Sequence, residues 1–490
     1  MGGKRRAVAP EGLAGLQSTP MTPSSTGDAT PEPALRVAVI GAGPAGFYTV
    51  QQLLKLSEGP VHIDVFDRLP TPFGLVRSGV APDHPKIKSV TTLYHRLAMD
   101  PGFRFFGNVE YGRDLHLEQL RAHYDQIVFA NGAQNDRHLE IPGEDLTGVH
   151  SAREFVAWYN GDPRHAHDTF ELDAKAAVVI GVGNVAADVA RILCRVHEKL
   201  AVTDIADYAL DALDESAVRT VYVLGRRGPV QAKFSTPEIH ELAELVDTET
   251  SIPAVDMVLD EFSQAELDAA GERDELRRKF SALEELTDRS EPHKHRKLIL
   301  RFLVSPVELL SDEQGRVRAL RIVRNELRKD EESGWIGPQP TGVEEELECG
   351  LVFRSVGYRG TAVEDLPFDD RKGVIPNEEG RVTDPDSGEP VSGLYVAGWI
   401  KRGPSGLIGS NKVCAQQTVE HMLEDASPAA KTQRDPDAIV AALRAAGARY
   451  VTYEDWMKID AEEVARGETQ GRPRIKFTEL DEILEFLGKN

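Results

Sequence analysis

Twice along this chain of 490 residues a short apolar run ends in a glycine-rich turn that opens a helix-forming stretch. No other feature restricts the fold as strongly. The first unit begins at residues 36–40 and turns through Gly41-Ala-Gly43-Pro-Ala-Gly46. It continues as a helix over 47–56 and ends with a strand over 61–66 that stops at Asp67. The second begins at 177–180, turns through Gly181-Val-Gly183-Asn-Val-Ala186 and enters an amphipathic helix over 187–196. Its second strand comes at Thr220–Leu224, followed by Gly225-Arg226-Arg227-Gly228. Strand, glycine turn, helix and strand in that order make the nucleotide-binding half of a Rossmann-type domain.

The three glycines have separate duties. The first permits a tight turn, the second lets the backbone approach a pyrophosphate, and the third lets helix and strand pack closely; alanine is an accepted third residue, as at Ala186. The phosphates then lie at a helix N-terminus, where unpaired N–H groups and the helix dipole favour anions. The residues after the second strand distinguish the two units. Asp67 stands where a carboxylate accepts from a ribose hydroxyl. Arg226 and Arg227 stand where guanidinium groups pair with a 2′-phosphate, so the second unit favours NADP over NAD.

The expected fold is α/β, with two nested Rossmann-like three-layer nucleotide-binding domains. Residues 34–133 open the first domain, 134–350 form the second, and 351–490 return to the first and finish in a C-terminal tail. The return is expected at the apolar strand between Val352 and Gly357. Residues 1–33, rich in Gly, Pro, Ser and Thr, read as a disordered tail. Lys4, Arg5 and Arg6 have no apolar run behind them, so no secretory signal is expected, and Met21 is a second candidate start. The acids Glu11, Asp28 and Glu32 weigh against a mitochondrial transit peptide, which leaves a cytoplasmic setting first and the mitochondrial matrix second. The stretch 197–219, acidic and helix-prone, carries no functional reading.

A net charge of −23 argues against nucleic acid or an anionic membrane as partner. No apolar stretch approaches the roughly 18 residues of a membrane helix. Cys194, Cys349 and Cys414 form no Cys-x-x-Cys pair and no cluster or disulfide framework, so thiol chemistry and a metal site are not expected.

A further glycine-rich turn lies in the return segment. Gly393-Leu-Tyr-Val-Ala-Gly398 leads into Trp399-Ile-Lys-Arg-Gly-Pro-Ser-Gly406-Leu-Ile-Gly-Ser-Asn411, which places backbone N–H groups before another helix and offers Trp399 as a stacking face. With these motifs in order, the chain resembles the adrenodoxin reductase family, the glutathione-reductase-like ferredoxin–NADP reductases, from about residue 34 to the end. The likeness rests on Val37-Ala-Val-Ile-Gly-Ala-Gly-Pro-Ala-Gly-Phe-Tyr48, Pro72-Phe-Gly-Leu-Val-Arg-Ser-Gly-Val-Ala-Pro-Asp-His-Pro85 and Ile141-Pro-Gly-Glu144. It continues through Val223-Leu-Gly-Arg-Arg-Gly-Pro229, Ala397-Gly-Trp-Ile-Lys-Arg-Gly-Pro404 and Trp456-Met-Lys-Ile-Asp-Ala-Glu-Glu-Val-Ala-Arg466.

That resemblance implies FAD in the first domain and NADP(H) in the second. Besides Gly41, Gly43 and Gly46, it places Ala45, Asp67, Leu75, Val109, Trp399, Gly406, Leu407 and Ile408 at FAD. Besides Gly181, it places Gly183, Asn184, Val185, Arg226, Arg227, Glu238 and Gly406 at NADP, with His84 and Glu238 as the pair beside nicotinamide and flavin. Three positions depart from the family pattern. Asp67 stands for a common Glu, Val182 for a polar residue, and Lys233 for a small one. The implied reaction takes hydride from NADPH and passes electrons singly through FAD to a separate ferredoxin-type iron–sulfur protein, since no cluster cysteines are fused here. A monomer is the default. An NADPH diaphorase or quinone reductase, and a non-catalytic FAD/NADP sensor, are the alternatives. An acidic ferredoxin needs a local basic patch; the candidates are Arg277, Arg278 and Lys279, and His293-Lys-His-Arg-Lys297.

Overall fold

The computed structural model describes residues 34–426 and 435–489; the expected tail over 1–33 lies outside the described residues. Strand Leu35–Ile40 is apolar on both faces but for Arg36, and all of it is buried, as a central parallel strand requires. It lies within a seven-stranded sheet ordered Asn377–Glu378, Arg381–Thr383, Pro390–Val396, Gln126–Phe129, Leu35–Ile40, Val61–Asp67, Phe103–Gly107. The last five of these run parallel, and the first two add an antiparallel edge. Alternate side chains feed two cores. Val37 and Val39 pack with Phe47, Leu53, Tyr94 and Trp456, whereas Ala38 and Ile40 pack with Phe66, Phe106, Phe129 and Ile400.

The second sheet has six parallel strands, ordered Val149–Ser151, Leu351–Arg354, Ala176–Ile180, Thr220–Leu224, Arg296–Arg301, Thr248–Ser251. Its two faces are covered differently. Ala177 and Val179 meet the helices Ala152–Tyr159, Asn184–Cys194 and Thr236–Ala243. Val178 and Ile180 meet Leu309, Leu320, Ile322 and Leu347 of a three-stranded antiparallel sheet, Val304–Ser311, Val317–Lys329 and Ile336–Glu348. The third layer of the inserted domain is thus a sheet, where the sequence pattern pointed to no particular element.

The return of the chain also differs from expectation. Strand Leu351–Arg354 does not rejoin the first sheet; it is hydrogen-bonded between Val149–Ser151 and Ala176–Ile180. An apolar strand ending before a glycine fits either sheet locally, and the parallel partner is chosen by burial on both faces, which here places Leu351, Val352 and Phe353 at 0% exposure. The crossing to the first domain therefore comes after Arg354.

The stretch 197–219 has a structural role. Buried Lys476, near the C-terminus, donates to Asn160 O at 2.9 Å and lies 3.0 Å from Asp204, which Lys88 also grips at 2.7 Å. Arg472 adds bonds to the carbonyls of Thr203 and Ile205 and to Asp207. The C-terminal segment thereby clasps the inserted domain. Behind it, buried Glu463 accepts both Arg77 nitrogens, at 2.9 and 2.5 Å, and Arg77 lies over the Trp456 ring at 5.1 Å. The Pro72–Pro85 and Trp456–Arg466 motifs are thus partners in space.

Candidate active site between the two dinucleotide folds

Each glycine turn is held against the end of the neighbouring parallel strand. A Cβ on Gly41 would lie 2.6 Å from Ala130 O, and one on Gly181 2.2 Å from Ser355 O, and both residues have positive φ (+112° and +140°). The second glycines face open space. Gly183 has nothing within 4 Å of a virtual Cβ, and Gly43 only the Gly74 Cα at 3.9 Å. Gly43 and Gly183 are also the N-caps of helices Pro44–Leu56 and Asn184–Cys194, and neither makes a side-chain cap. The first-turn N–H groups are left for an anion in the space beside the glycine. These two cradles fit dinucleotide pyrophosphates on geometry alone. The third positions differ. A Cβ on Gly46 would lie 2.0 Å from Gly41 O, whereas Ala186 carries its methyl fully buried.

The residues beyond the second strands diverge as the sequence implies. The Asp67 carboxylate accepts from Ala42 N–H at 2.7 Å and Leu69 N–H at 2.9 Å, so it is tied to the glycine turn itself. Burial lifts this carboxyl above its ordinary value despite those two bonds. Val109, buried beside it, donates its N–H to Asp67 O. In the second unit the chain after Thr220–Leu224 is pinned by its backbone: Asn325 donates to Arg226 O at 2.9 Å and Leu303 N–H to Arg227 O at 3.0 Å. Among the described residues neither guanidinium has a hydrogen bond or ion pair, and Arg226 is exposed. Val182 O accepts from Lys233 N–H at 2.8 Å, and Asn184 Oδ1 from Ser235 N–H at 3.0 Å, so the Lys233 side chain stands exposed beside this cradle.

The return segment meets the first cradle directly. A Cβ on Gly398 (φ +78°) would lie 2.4 Å from the Ala45 Cβ, so only glycine lets the strand end reach the helix. Trp399 follows, stacked on Tyr358 with centroids 5.5 Å apart and donating its indole N–H to Ser405 O. Gly406, also at positive φ, leads into Leu407, which is 71% exposed, and Ile408, which packs on the core. Leu75 is 40% exposed at the start of helix Leu75–Ser78.

His84 caps the short helix Pro85–Lys88, and its Nε2 is 2.7 Å from Glu241 Oε2. Glu241, not Glu238, is therefore its hydrogen-bond partner. The two glutamates sit three apart on helix Thr236–Ala243, one turn from each other, so Glu241 joins the pair that the sequence likeness named. Glu238 is buried with Oε2 unpaired, and burial, with Asp188 and Glu241 nearby, raises its carboxyl while His84 opposes the rise. Asp83, Asp188, Arg191 and Glu241 complete the cluster. Of these, Glu241 was within reach of sequence reasoning through its spacing from Glu238.

The chain is 44% identical over 469 residues to the NADPH-ferredoxin reductase FprA of Mycobacterium tuberculosis, covering 92% of this chain and 98% of that one. It belongs to the ferredoxin/adrenodoxin–NADP reductase family. The mitochondrial NADPH:adrenodoxin oxidoreductase of Homo sapiens is 41% identical, covering 95% of this chain and 93% of the relative. A solved structure of M. tuberculosis FprA in complex with NADPH superposes with a TM-score of 0.85 at 43% identity, covering 92% of this chain and 99% of that one. The pyridine nucleotide-disulphide oxidoreductase family profile matches residues 35–223, the span that holds both glycine turns.

Against this reductase frame, part of each basic run proposed for docking is held by the fold, while the His293 and Lys297 side chains stay exposed. The Lys279 ammonium is buried and donates to Val230 O and Ala232 O. Arg277 bonds Ala270 O, and Arg278 pairs with Glu275. Lys294 donates to Leu245 O and Thr248 O, and His295 pairs with Asp247. A run of cations in an acidic chain finds backbone carbonyls and carboxylates close at hand, and here these claim Lys279, Arg277, Arg278, Lys294 and His295.

Proposed function

We propose that this protein is an FAD-dependent ferredoxin–NADP(+) reductase that moves electrons from NADPH to a separate ferredoxin-type iron–sulfur carrier. One observation carries the reading: both cradles, with opposite chemistry after their second strands, stand in a chain that matches reductases of this activity over nearly their whole length. FAD, once bound, supplies the conversion between a two-electron hydride and single electrons. The protein's own residues do the rest. Gly41, Gly43, Ala45 and Gly46 would receive the FAD pyrophosphate, with Asp67 and Val109 at the adenosine end and Leu75, Trp399 and Gly406 to Ile408 toward the ring. Gly181, Gly183, Asn184 and Val185 would receive the NADP pyrophosphate, and Arg226 and Arg227 its 2′-phosphate. His84 and Glu238 would lie beside the nicotinamide and the flavin. The chain acts as a monomer in the cytoplasm, a reducing setting that suits its three free, buried cysteines.

Steady-state oxidation of NADPH and NADH, with a cluster-loaded ferredoxin coupled to cytochrome c, tests the assignment. A yellow protein that prefers NADPH and needs the ferredoxin supports it. Turnover with dyes or quinones alone makes it a diaphorase, and FAD binding without NADPH turnover makes it a sensor.

A further inference from the structure

Arg191 lies on helix Asn184–Cys194, is 0% exposed, and belongs to neither cradle. Its Nε donates to Asp83 Oδ2 at 2.8 Å, and its Nη2 to Asp83 Oδ1 at 3.0 Å and Asp188 Oδ1 at 2.7 Å. Its Nη1 is 3.3 Å from Glu241 Oε2, the oxygen that His84 Nε2 meets at 2.7 Å. Asp188 Oδ1 lies 3.9 Å from His84 Nδ1, and Asp83 immediately precedes His84 in the chain. One buried guanidinium thus touches three carboxylates gathered around a single imidazole, each from a different element. Asp83 belongs to the first domain, and Asp188 and Glu241 to two helices of the second.

The remaining groups that face this cluster are Arg195, 3.1 Å from Asp83, the buried hydroxyl of Tyr159, Tyr358 and Glu238. Three anions crowded at a buried site are costly unless paired, and removing the shared partner costs more than either state intact. Burial would raise both aspartates. The two-pronged Arg191 bond, with Arg195, holds Asp83 below its ordinary value, while Asp188 stays above its own. The carboxylates are thereby made unlike, the usual arrangement where neighbouring groups take different protonation roles.

We propose that Arg191 is a positioning residue for the redox step: its guanidinium ties Asp83, Asp188 and Glu241 together and so holds Glu241 on His84. The inference rests on the reductase reading above. It also gives the domain seam a function, because the guanidinium can complete its contacts only when both domains are in place.

The test uses FAD-loaded Arg191→Gln and Arg191→Lys proteins. Two readouts are compared with wild type: the His84 titration by NMR of ¹³C-histidine-labelled protein, assigned with His84→Gln, and the anaerobic rate at which NADPH bleaches the flavin across pH. Removing one nearby charge moves a titration by about 1 unit or more, so in Arg191→Gln the His84 midpoint and the rate profile both move to higher pH. The neutral-pH rate falls about tenfold through lost orientation, while the KM for NADPH is kept. Arg191→Lys keeps the midpoint but loses rate, because an ammonium cannot span Asp83, Asp188 and Glu241 together. A folded Arg191→Gln protein with wild-type FAD content, midpoint and profile overturns the proposal. Where that variant does not fold, a wild-type bleaching rate in Arg191→Lys overturns it instead. Variants that behave as expected beside a wild-type protein that cannot reduce ferredoxin sink the reductase reading alone.

Discussion

The two glycine cradles are nearly the same object in opposite electrical settings. In each, the first glycine is pressed onto the carbonyl of the next parallel strand and the second opens onto free space. They part at the third position and after the second strand. Gly46 has no room for a methyl, Ala186 has one, Asp67 is drawn back onto its own turn, and the Arg226 and Arg227 guanidinium groups have no partner among the described residues. The shared geometry is what a pyrophosphate at a helix N-terminus requires. On the function proposed above, the differences would tell one dinucleotide from the other. A permanently held cofactor can share its acid with the turn, whereas a substrate that comes and goes needs cations kept free for it.

The sharpest way to break the likeness between the cradles is Gly46→Ala. Its methyl would sit inside van der Waals contact with a backbone oxygen that cannot move without opening the turn, for a loss of about 4 kcal/mol or more. FAD content after purification and Tm report it, and full retention of both would show that the first helix can shift as the second has. Next comes the charge contrast. The double substitution Arg226→Ala with Arg227→Ala removes contacts worth about 1.5–3 kcal/mol each. The KM for NADPH should rise by roughly two to four orders of magnitude while NADH kinetics barely change. Equal losses with both coenzymes would place the 2′-phosphate elsewhere.

Asp67→Asn sharpens the comparison through pH. Burial keeps the Asp67 carboxyl above 3.8, so the folded apoprotein retains a proton that the unfolded chain releases, and stability falls as pH rises from 3.8 through the folded value. The substitution should remove that slope from a series of apoprotein denaturation curves. The arginine end of the second cradle stays charged throughout this range and contributes no such slope. Smallest of all, Ala186→Gly should cost only about 0.5–1 kcal/mol of helix stability and leave NADPH binding alone, as measured by urea denaturation and KM.

What the sequence disclosed follows the range of the forces involved. Both cradles and the strand Thr220–Leu224 were legible because a turn, its glycines and the next few residues decide them locally. Leu351–Arg354 was assigned to the wrong sheet because a buried parallel strand looks alike wherever it pairs. The antiparallel layer over 304–348 has no glycine signature to announce it. Lys279 looked like a docking cation because its pattern is solvent-like; only the fold shows the carbonyls of Val230 and Ala232 around it. Glu238 and Glu241 lie on one side of the same helix, and three-dimensional reach, not spacing, awards His84 to the second. Arg191 carried only the local signal of Asp188 three residues before it on the same helix, since Asp83 and Glu241 reach it through folding alone.

The nesting of one domain inside the other separates the order of synthesis from the order of assembly. All six strands of the inner sheet lie between Val149 and Arg354, so that unit is complete while the outer sheet still lacks Pro390–Val396. Until that strand arrives beside Gln126–Phe129, the outer sheet exposes an open edge, the sort of edge that recruits other chains. A disordered connection of this length would close slowly. A folded inner domain shortens it, bringing residue 390 back near residue 129 as a rigid spacer. The inserted domain thus serves the newborn chain as scaffolding for its own host, before any nucleotide is bound.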